Sequence, residues 1–188
     1  TFWGVVIAGQ DLTAELLKGL QDPAATAKSR IAFGFVQTAG AGLGMLSFGT
    51  LSEKLGRRGT FALMHIMAAV LTPVICWVPF HYRSYHLMLC LLPLFGFFAQ
   101  GIHAGYAIYF PELFPPHLRA TGAGFCFNTG RILAAPMLIW GSAELKLRMP
   151  LQQAVTLLGG LFVLGLLILP WLPETNTPRN SPTSNPEN

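Results

Sequence analysis

One arginine, Arg131, lies well inside an apolar run that extends over about residues 118–140. Placing a cation at the centre of a hydrophobic span costs roughly 2.5 to 3.5 kcal/mol, so such a residue is seldom kept without a partner or a water-filled cavity beside it. A guanidinium offers a planar, two-pronged fit to a carboxylate, which makes Arg131 a candidate anchor for an anionic ligand. The alternatives are a structural ion pair with an acid elsewhere in the protein and the capping of backbone carbonyls.

Four uncharged polar side chains lie in the same kind of apolar stretch and are candidates for the same binding site. Asn128 shares a helical face with Arg131, Gln100 shares one with His103, and Gln37 lies in an earlier glycine-rich run. Histidine has an unperturbed pKa of about 6.5, so His103 is also a candidate protonation site. Such side chains line polar cavities, but they also form hydrogen bonds between neighbouring helices, and the sequence leaves both interpretations open.

The composition indicates that these residues belong to a membrane protein. Of the 188 residues, 52% are hydrophobic and only 11% are charged, with a mean hydropathy of +0.50, whereas a soluble domain has about 25% charged residues. The net charge of +4 is spread over short connectors, and no basic block indicates nucleic acid as a partner. Cys76, Cys90 and Cys126 all lie in apolar runs without the spacing of a disulfide framework or a metal site, so no cofactor is predicted.

The apolar runs predict the helices that must position these residues. A helix needs about 20 residues to cross a bilayer, and five runs reach that length, over about residues 31–51, 60–80, 87–109, 118–140 and 150–171. In the first of them, Gly40 and Gly44 have the spacing that lets two helix backbones approach closely.

The segments outside these five spans are predicted to lie outside the membrane or to be incomplete. Residues 1–8 are interpreted as the end of a truncated helix, so the sequence is expected to be part of something longer. Residues 9–30 are polar and are predicted to be an extramembrane connector with a short surface helix over residues 12–20. Residues 172–188 are rich in Pro, Ser and Asn, which predicts a disordered tail.

Three local patterns together resemble the C-terminal half of a Major Facilitator Superfamily transporter. The stretch GTLSEKLGRR at residues 49–58 is similar to the superfamily's G-x-L-x-D-R-x-G-R-R loop. The stretch PELFPPHLRATG at residues 111–122 is similar to its P-E-L-F-P-T-x-x-R-x-x-G hinge, and PET at residues 173–175 is similar to the P-E-T-K ending of sugar-porter-like members. The residues that depart from these patterns are Glu53, Lys54, Pro116 and Asn176.

The resemblance implies an all-α integral membrane protein, namely the six-helix C-terminal bundle of a twelve-helix fold with its first helix truncated. It implies that the partners are membrane lipid and the missing N-terminal six-helix half of the same transporter. It also implies a multi-pass protein of the plasma membrane, or of the inner membrane in a bacterium. The connector at residues 52–59, the hinge and the tail would then be cytoplasmic.

By the same resemblance, the charged residues of the loop and the hinge form a cytoplasmic gating network. Ion pairs at the edge of a low-dielectric region form in only one packing of the helices and therefore bias an equilibrium between two states. The alternative is a solvated positive loop that only sets the topology, although its two carboxylates supply negative charge that topology does not need. The predicted network comprises Glu53, Lys54, Arg57, Arg58, Glu112 and Arg119.

The function implied by the resemblance is secondary active transport of a small polar metabolite by alternating access. The segment from Asn128 to Arg131 resembles the aromatic-acid/proton symporters and the organic-ion transporters, several of which have an arginine at the matching place in helix eleven. An organic anion, carried with or without protons, is therefore the expected substrate, and the alternatives are a sugar transporter and a non-transporting membrane scaffold. An enzyme is not expected, because the five spans contain no acid and no catalytic combination of His, Cys and Asp.

Overall fold

The computed structural model describes residues 2–175, without the side chains of residues 2–8, 134, 137–143, 145 and 146. All regular secondary structure in this part of the chain is helical, which confirms the predicted all-α class. Three helical segments are long and apolar enough to cross a membrane by length and composition, namely Ala25–His81, Tyr85–Glu112 and Leu151–Trp171.

The helices follow one another with short breaks. Over residues 2–175 the α-helices are α1 (Phe2–Gly19), α2 (Ala25–Ile31), α3 (Thr38–His81), α4 (Tyr85–Glu112), α5 (Arg119–Arg148) and α6 (Leu151–Ile168). A π-helical stretch, Ala32–Gln37, joins α2 to α3 without interruption, and a 3-10 turn, Leu169–Trp171, follows α6.

The connector predicted at residues 9–30 is helical as far as Gly19, because α1 continues without a break from the partial helix expected at residues 1–8 and includes most of the short helix predicted over residues 12–20. The polar residues of this segment conceal an amphipathic stripe, since residues at i and i+4 share one helical face. The chain breaks only over residues 20–24, where Gln21 has a φ of 55°. The stripe is not a surface feature, and its fully or almost fully buried members are Leu12, Thr13, Leu16 and Leu17.

Helix α3 consists of two arms, residues 38–55 and 57–81, that meet at Gly56. This glycine has a φ of 77° and a ψ of 168°, a conformation that a residue without a β-carbon adopts at little cost. The second arm returns alongside the first, so that the rings of Phe48 and Phe61 lie 5.0 Å apart. The reversal separates the two spans that were predicted at residues 31–51 and 60–80.

The first arm of α3 and helix α4 are in direct backbone contact. A β-carbon at Gly40 would overlap the carbonyl group of Pro93, and a β-carbon at Gly44 would overlap that of Phe97. From the first contact to the second, the residue number increases by four in both helices, so the first arm runs parallel to α4. The close approach that the spacing of the two glycines predicts is present in the structure.

Helix α5 extends beyond the predicted span of residues 118–140 as far as Arg148. Its last turn contains an ion pair between Glu144 and Arg148, with 2.6 Å between the carboxylate oxygen and the guanidinium nitrogen. Such i, i+4 pairs stabilise helices, and the helix ends just before Pro150, which disfavours helical conformation in the residue preceding it.

The tail predicted at residues 172–188 is ordered at its beginning. Leu172 packs against the core, and the hydroxyl of Tyr109 on α4 donates a hydrogen bond of 2.8 Å to the carbonyl oxygen of Pro173. The prediction of disorder is therefore wrong for residues 172–175, whose binding partners are distant in sequence. Residues 176–188 lie outside the described residues.

Candidate functional site

Helix α5 presents Arg131 and Asn128 on an exposed face. The Asn128 side chain donates a hydrogen bond of 2.9 Å to the carbonyl oxygen of Gly124, one turn earlier. A β-carbon at Gly124, which shares this face, would meet no other atom within 4 Å. This face of α5 is therefore not covered by any other element that the structure describes.

The guanidinium of Arg131 lies over the ring of Phe127, with its central carbon 4.8 Å from the ring centroid. A cation at this distance from an aromatic face is attracted by the ring's quadrupole. His103 of α4 contacts the same ring, with 5.1 Å between the centroids and an angle of 78° between the planes. Phe127 therefore stands between the two ionisable candidates that the sequence identified.

Gln37 occupies a different environment, because its side chain is only 1% exposed. A β-carbon at Gly9 of α1 or at Gly96 of α4 would overlap this residue. Gln37 therefore lies at a junction of three helices, as in the interhelical alternative considered above. Gln100 follows Gly96 by one turn and is half-buried.

The five predicted binding residues thus fall into two neighbouring groups along one face of α4. Arg131, Asn128 and His103 adjoin Phe127 where α4 meets α5, whereas Gln37 lies at Gly96 where α4 meets α1 and α3. Gln100 is placed between the two groups on the same face of α4. The first group offers a cation, an amide and an imidazole beside an aromatic ring, a combination that can bind a small anion.

Arg57 and Glu112 form a two-pronged ion pair at one end of the bundle. The Nη2 atom of Arg57 lies 2.6 Å from Oε1 of Glu112, and its Nε donates a hydrogen bond of 3.1 Å to Oε2. Arg57 also donates to the hydroxyl of Ser52. The pair therefore ties the start of the second arm of α3 to the end of α4.

The side chain of Glu174 binds backbone amides at the beginning of the second arm of α3. Its two carboxylate oxygens accept hydrogen bonds from the amide groups of Arg57, at 2.7 Å, and Arg58, at 3.0 Å. The first amides of a helix have no partner within the helix, and the helix dipole favours a negative charge there. The neighbouring Thr175 donates to Glu112. We call this cluster the Arg57 network, and its members are Ser52, Arg57, Arg58, Glu112, Glu174 and Thr175.

The Arg57 network overlaps only in part with the predicted gating residues. Arg57, Arg58 and Glu112 belong to it, whereas the side chains of Glu53 and Lys54 are exposed and form no hydrogen bond or ion pair with any residue that the structure describes. Arg119 lies beside the network, and its Nε donates a hydrogen bond of 3.3 Å to the carbonyl oxygen of Phe114.

Sequence reasoning overlooked three functional candidates. Glu174 and Thr175 belong to a motif that the sequence shows, but they were assigned to a tail, because nothing local indicates partners that lie 117 and 63 residues away. Phe127 was passed over as one aromatic residue in an apolar run, although its position four residues before Arg131 places both on one helical face. Within the described chain, no group of three His, Cys, Asp or Glu side chains is placed to hold a metal ion.

Comparison with known proteins identifies a family and several relatives. Residues 18–176 match the family model described as "Sugar (and other) transporter". The chain is 40% identical over 94 residues, or 50% of its length, to the cis,cis-muconate transport protein of Acinetobacter baylyi. It is 30% identical over 148 residues, or 77% of its length, to a probable 4-methylmuconolactone transporter of Cupriavidus pinatubonensis. It is 27% identical over 134 residues, or 70% of its length, to a putative metabolite transport protein of Haemophilus influenzae.

The matched regions cover 22%, 34% and 31% of those three proteins, so the chain spans about a fifth to a third of the length of the curated relatives it matches. No solved structure matches the chain.

Proposed function

The chain belongs to the sugar (and other) transporter family of the Major Facilitator Superfamily, and on that premise we propose that it forms part of a secondary transporter for a small organic acid. The observation that supports this most directly is the exposed guanidinium of Arg131 on an uncovered face of α5. The names of two relatives, which refer to muconate and to a muconolactone, favour the same class of substrate.

Arg131 is proposed to bind a carboxylate of the substrate. Its contact with the Phe127 ring leaves the polar edges of the guanidinium available for a two-pronged hydrogen-bonded pair. No carboxylate among the described residues forms an ion pair with Arg131. Asn128 and His103 are the proposed neighbouring hydrogen-bonding groups, with His103 as the residue that would couple transport to protons.

The Arg57 network is proposed to close one end of the bundle in one state of an alternating-access cycle. It joins three segments that are distant in sequence, and its ion pair together with the hydrogen bonds of Glu174 requires all of them to be in one relative position. Its members at residues 52–58 and 112 are proposed to face the cytoplasm of a multi-pass protein in the plasma membrane. The proposed partner in the cycle is an N-terminal six-helix half that would meet the exposed face of α5.

The proposal is tested by uptake of labelled compounds into proteoliposomes that contain the full-length protein. The compounds are cis,cis-muconate, benzoate and glucose, each measured with and without an imposed pH gradient. Arg131→Ala is expected to lower acid uptake roughly tenfold to hundredfold, because a charge-assisted hydrogen-bonded pair is worth about 1.5 to 3 kcal/mol. Arg148→Ala, on the same helix and exposed, is the matched control and is expected to retain uptake.

A pH gradient that stimulates acid uptake would support coupling to protons. Uptake of glucose alone, unchanged by Arg131→Ala, would contradict the organic-acid proposal and favour the sugar transport that the family description also includes. Equal losses in Arg131→Ala and Arg148→Ala would show that a general loss of positive charge, rather than an anchor at Arg131, accounts for the effect.

A further inference from the structure

We propose that Phe127 makes the site selective for flat, conjugated acids over saturated acids of the same length. This inference rests on the function proposed above and names the class of substrate more closely. It depends on two ring contacts of Phe127, on the position of Arg131 over that ring, and on the plane that a bound carboxylate must share with a guanidinium.

The ring of Phe127 is held in place from several directions. His103 meets it at 5.1 Å and 78°, and Phe110 meets it at 6.4 Å and 80°. Phe110 is in turn stacked on Tyr106, with 5.3 Å between the centroids and 10° between the planes. Because its neighbours on α4 are themselves packed, the half-buried Phe127 ring has a fixed orientation.

An aromatic ring favours a guanidinium that is stacked on its face. The central carbon of Arg131 lies 4.8 Å from the ring centroid, and a guanidinium on an aromatic ring gains both cation–π attraction and stacking. A carboxylate that accepts two parallel hydrogen bonds from this group must lie in the guanidinium's plane. Phe127 therefore sets, through Arg131, the orientation of the bound carboxylate.

Conjugation transmits that orientation to the rest of the substrate. In a conjugated acid the carboxylate is coplanar with the unsaturated carbon skeleton. The skeleton therefore extends away from the guanidinium in the plane that the carboxylate and the guanidinium share, and it lies flat beside the ring of Phe127. In a saturated acid the carboxylate rotates about a single bond, and methylene hydrogens project above and below its plane. The saturated acid therefore gains less contact and loses more freedom on binding.

Uptake of cis,cis-muconate compared with that of adipate tests this inference, because the two are six-carbon diacids that differ in conjugation. Phe127→Leu retains an apolar side chain but removes the ring, and we expect the ratio of muconate uptake to adipate uptake to fall roughly threefold to tenfold. Phe125→Leu is the matched control. Phe125 lies on the same helix, is 70% exposed, points about 120° away from Arg131, and should leave the ratio unchanged.

The outcomes separate this inference from the function on which it rests. Failure of the parent protein to take up either acid overturns both. Muconate uptake that requires Arg131, with an unchanged ratio in Phe127→Leu, overturns the role of Phe127 and leaves the transport proposal intact. An equal loss of uptake for both acids in Phe127→Leu also overturns the proposed selectivity, because Phe127 would then only support Arg131. Should Phe127→Leu not reach the membrane, Phe127→Met is measured in its place with the same expected fall.

Discussion

At the residue scale, Glu174 shows how one side chain can complete a helix that lies far away in the sequence. Its carboxylate accepts hydrogen bonds from the amides of Arg57 and Arg58, which begin the second arm of α3 and have no acceptor within that arm. Glu53, near the end of the first arm, is exposed, and its side chain forms no hydrogen bond or ion pair with any other described residue. The two glutamates therefore differ in role although they lie close to the same turn.

Glu174→Ala is expected to destabilise the protein by about 1 to 2 kcal/mol, because it removes a helix cap that makes two hydrogen bonds. The same change at Glu53 is expected to alter the free energy of unfolding by no more than about 0.5 kcal/mol. Denaturant-induced unfolding in detergent micelles measures both values. A loss of equal size in the two variants would show that the bonds of Glu174 to the backbone do not stabilise α3.

At the scale of elements, the pairing of α3 with α4 depends on glycines in the first arm of α3. The faces of that arm differ, because a β-carbon at Gly44 would overlap the carbonyl group of Phe97, whereas a β-carbon at Gly42 would meet no atom within 4 Å. Both residues are helical, so helix propensity acts on them equally, and only contact with α4 distinguishes them.

Gly44→Ala is therefore expected to destabilise the protein by about 1 to 3 kcal/mol, the usual cost of overpacking. Gly42→Ala is expected to be neutral or to stabilise it by up to about 1 kcal/mol, since alanine favours a helix more than glycine does. Thermal unfolding of the two variants in the same detergent compares these effects. Similar midpoints would mean that the helices separate readily enough to accept the extra methyl group.

The helices could be predicted from the sequence where their signals are local, and not where they depend on distant packing. The apolar runs and the charged loop at residues 52–59 predict two spans on either side of Gly56, and the structure reverses the chain there. The helix predicted over residues 12–20 is present as the second half of α1, but its burial could not be predicted, because charged residues lie between the members of the buried stripe that includes Leu12 and Leu16. Polar residues that follow an apolar run therefore do not by themselves end the helix.

The residues of the candidate site could likewise be predicted from the sequence only where their signals are local. Arg131 stands out in the sequence because a charge in an apolar run is costly. Phe127 becomes significant only when α4 and α5 are paired and its ring separates His103 from Arg131. Glu174 becomes significant only when the segment after α6 crosses the end of α3. Neither pairing has a signal in the sequence around the residue itself.

At the scale of the whole molecule, the Arg57 network gathers the loop of α3, the end of α4 and the segment after α6 at one end of the bundle. The side chains of its central pair, Arg57 and Glu112, are 12% and 30% exposed, so the pair is only partly screened by solvent. A pair of this kind is suited to biasing the equilibrium between two arrangements of the bundle without fixing either of them.

Glu112→Gln is expected to shift this equilibrium by about 1 kcal/mol, or roughly fivefold, because an amide of the same shape loses the charge–charge attraction. Uptake should fall several-fold while equilibrium binding of the acid is retained, since the binding residues lie on other parts of α4 and on α5. Transport assays and binding measurements on the same preparation separate the two effects, with Glu53→Gln as the control. A parallel loss of binding and uptake would contradict a gating role for the network.

The hydrogen bonds of Glu174 also set an order of events during biosynthesis. This residue follows Arg58 by 116 positions, and a ribosome that adds about 5 to 20 residues per second needs roughly 6 to 23 s to cover that distance. During that interval the second arm of α3 is already made, but the carboxylate that completes its first turn does not yet exist. Water or lipid head groups must solvate those amides in the meantime, and the end of the bundle can close only after α6 has been synthesised.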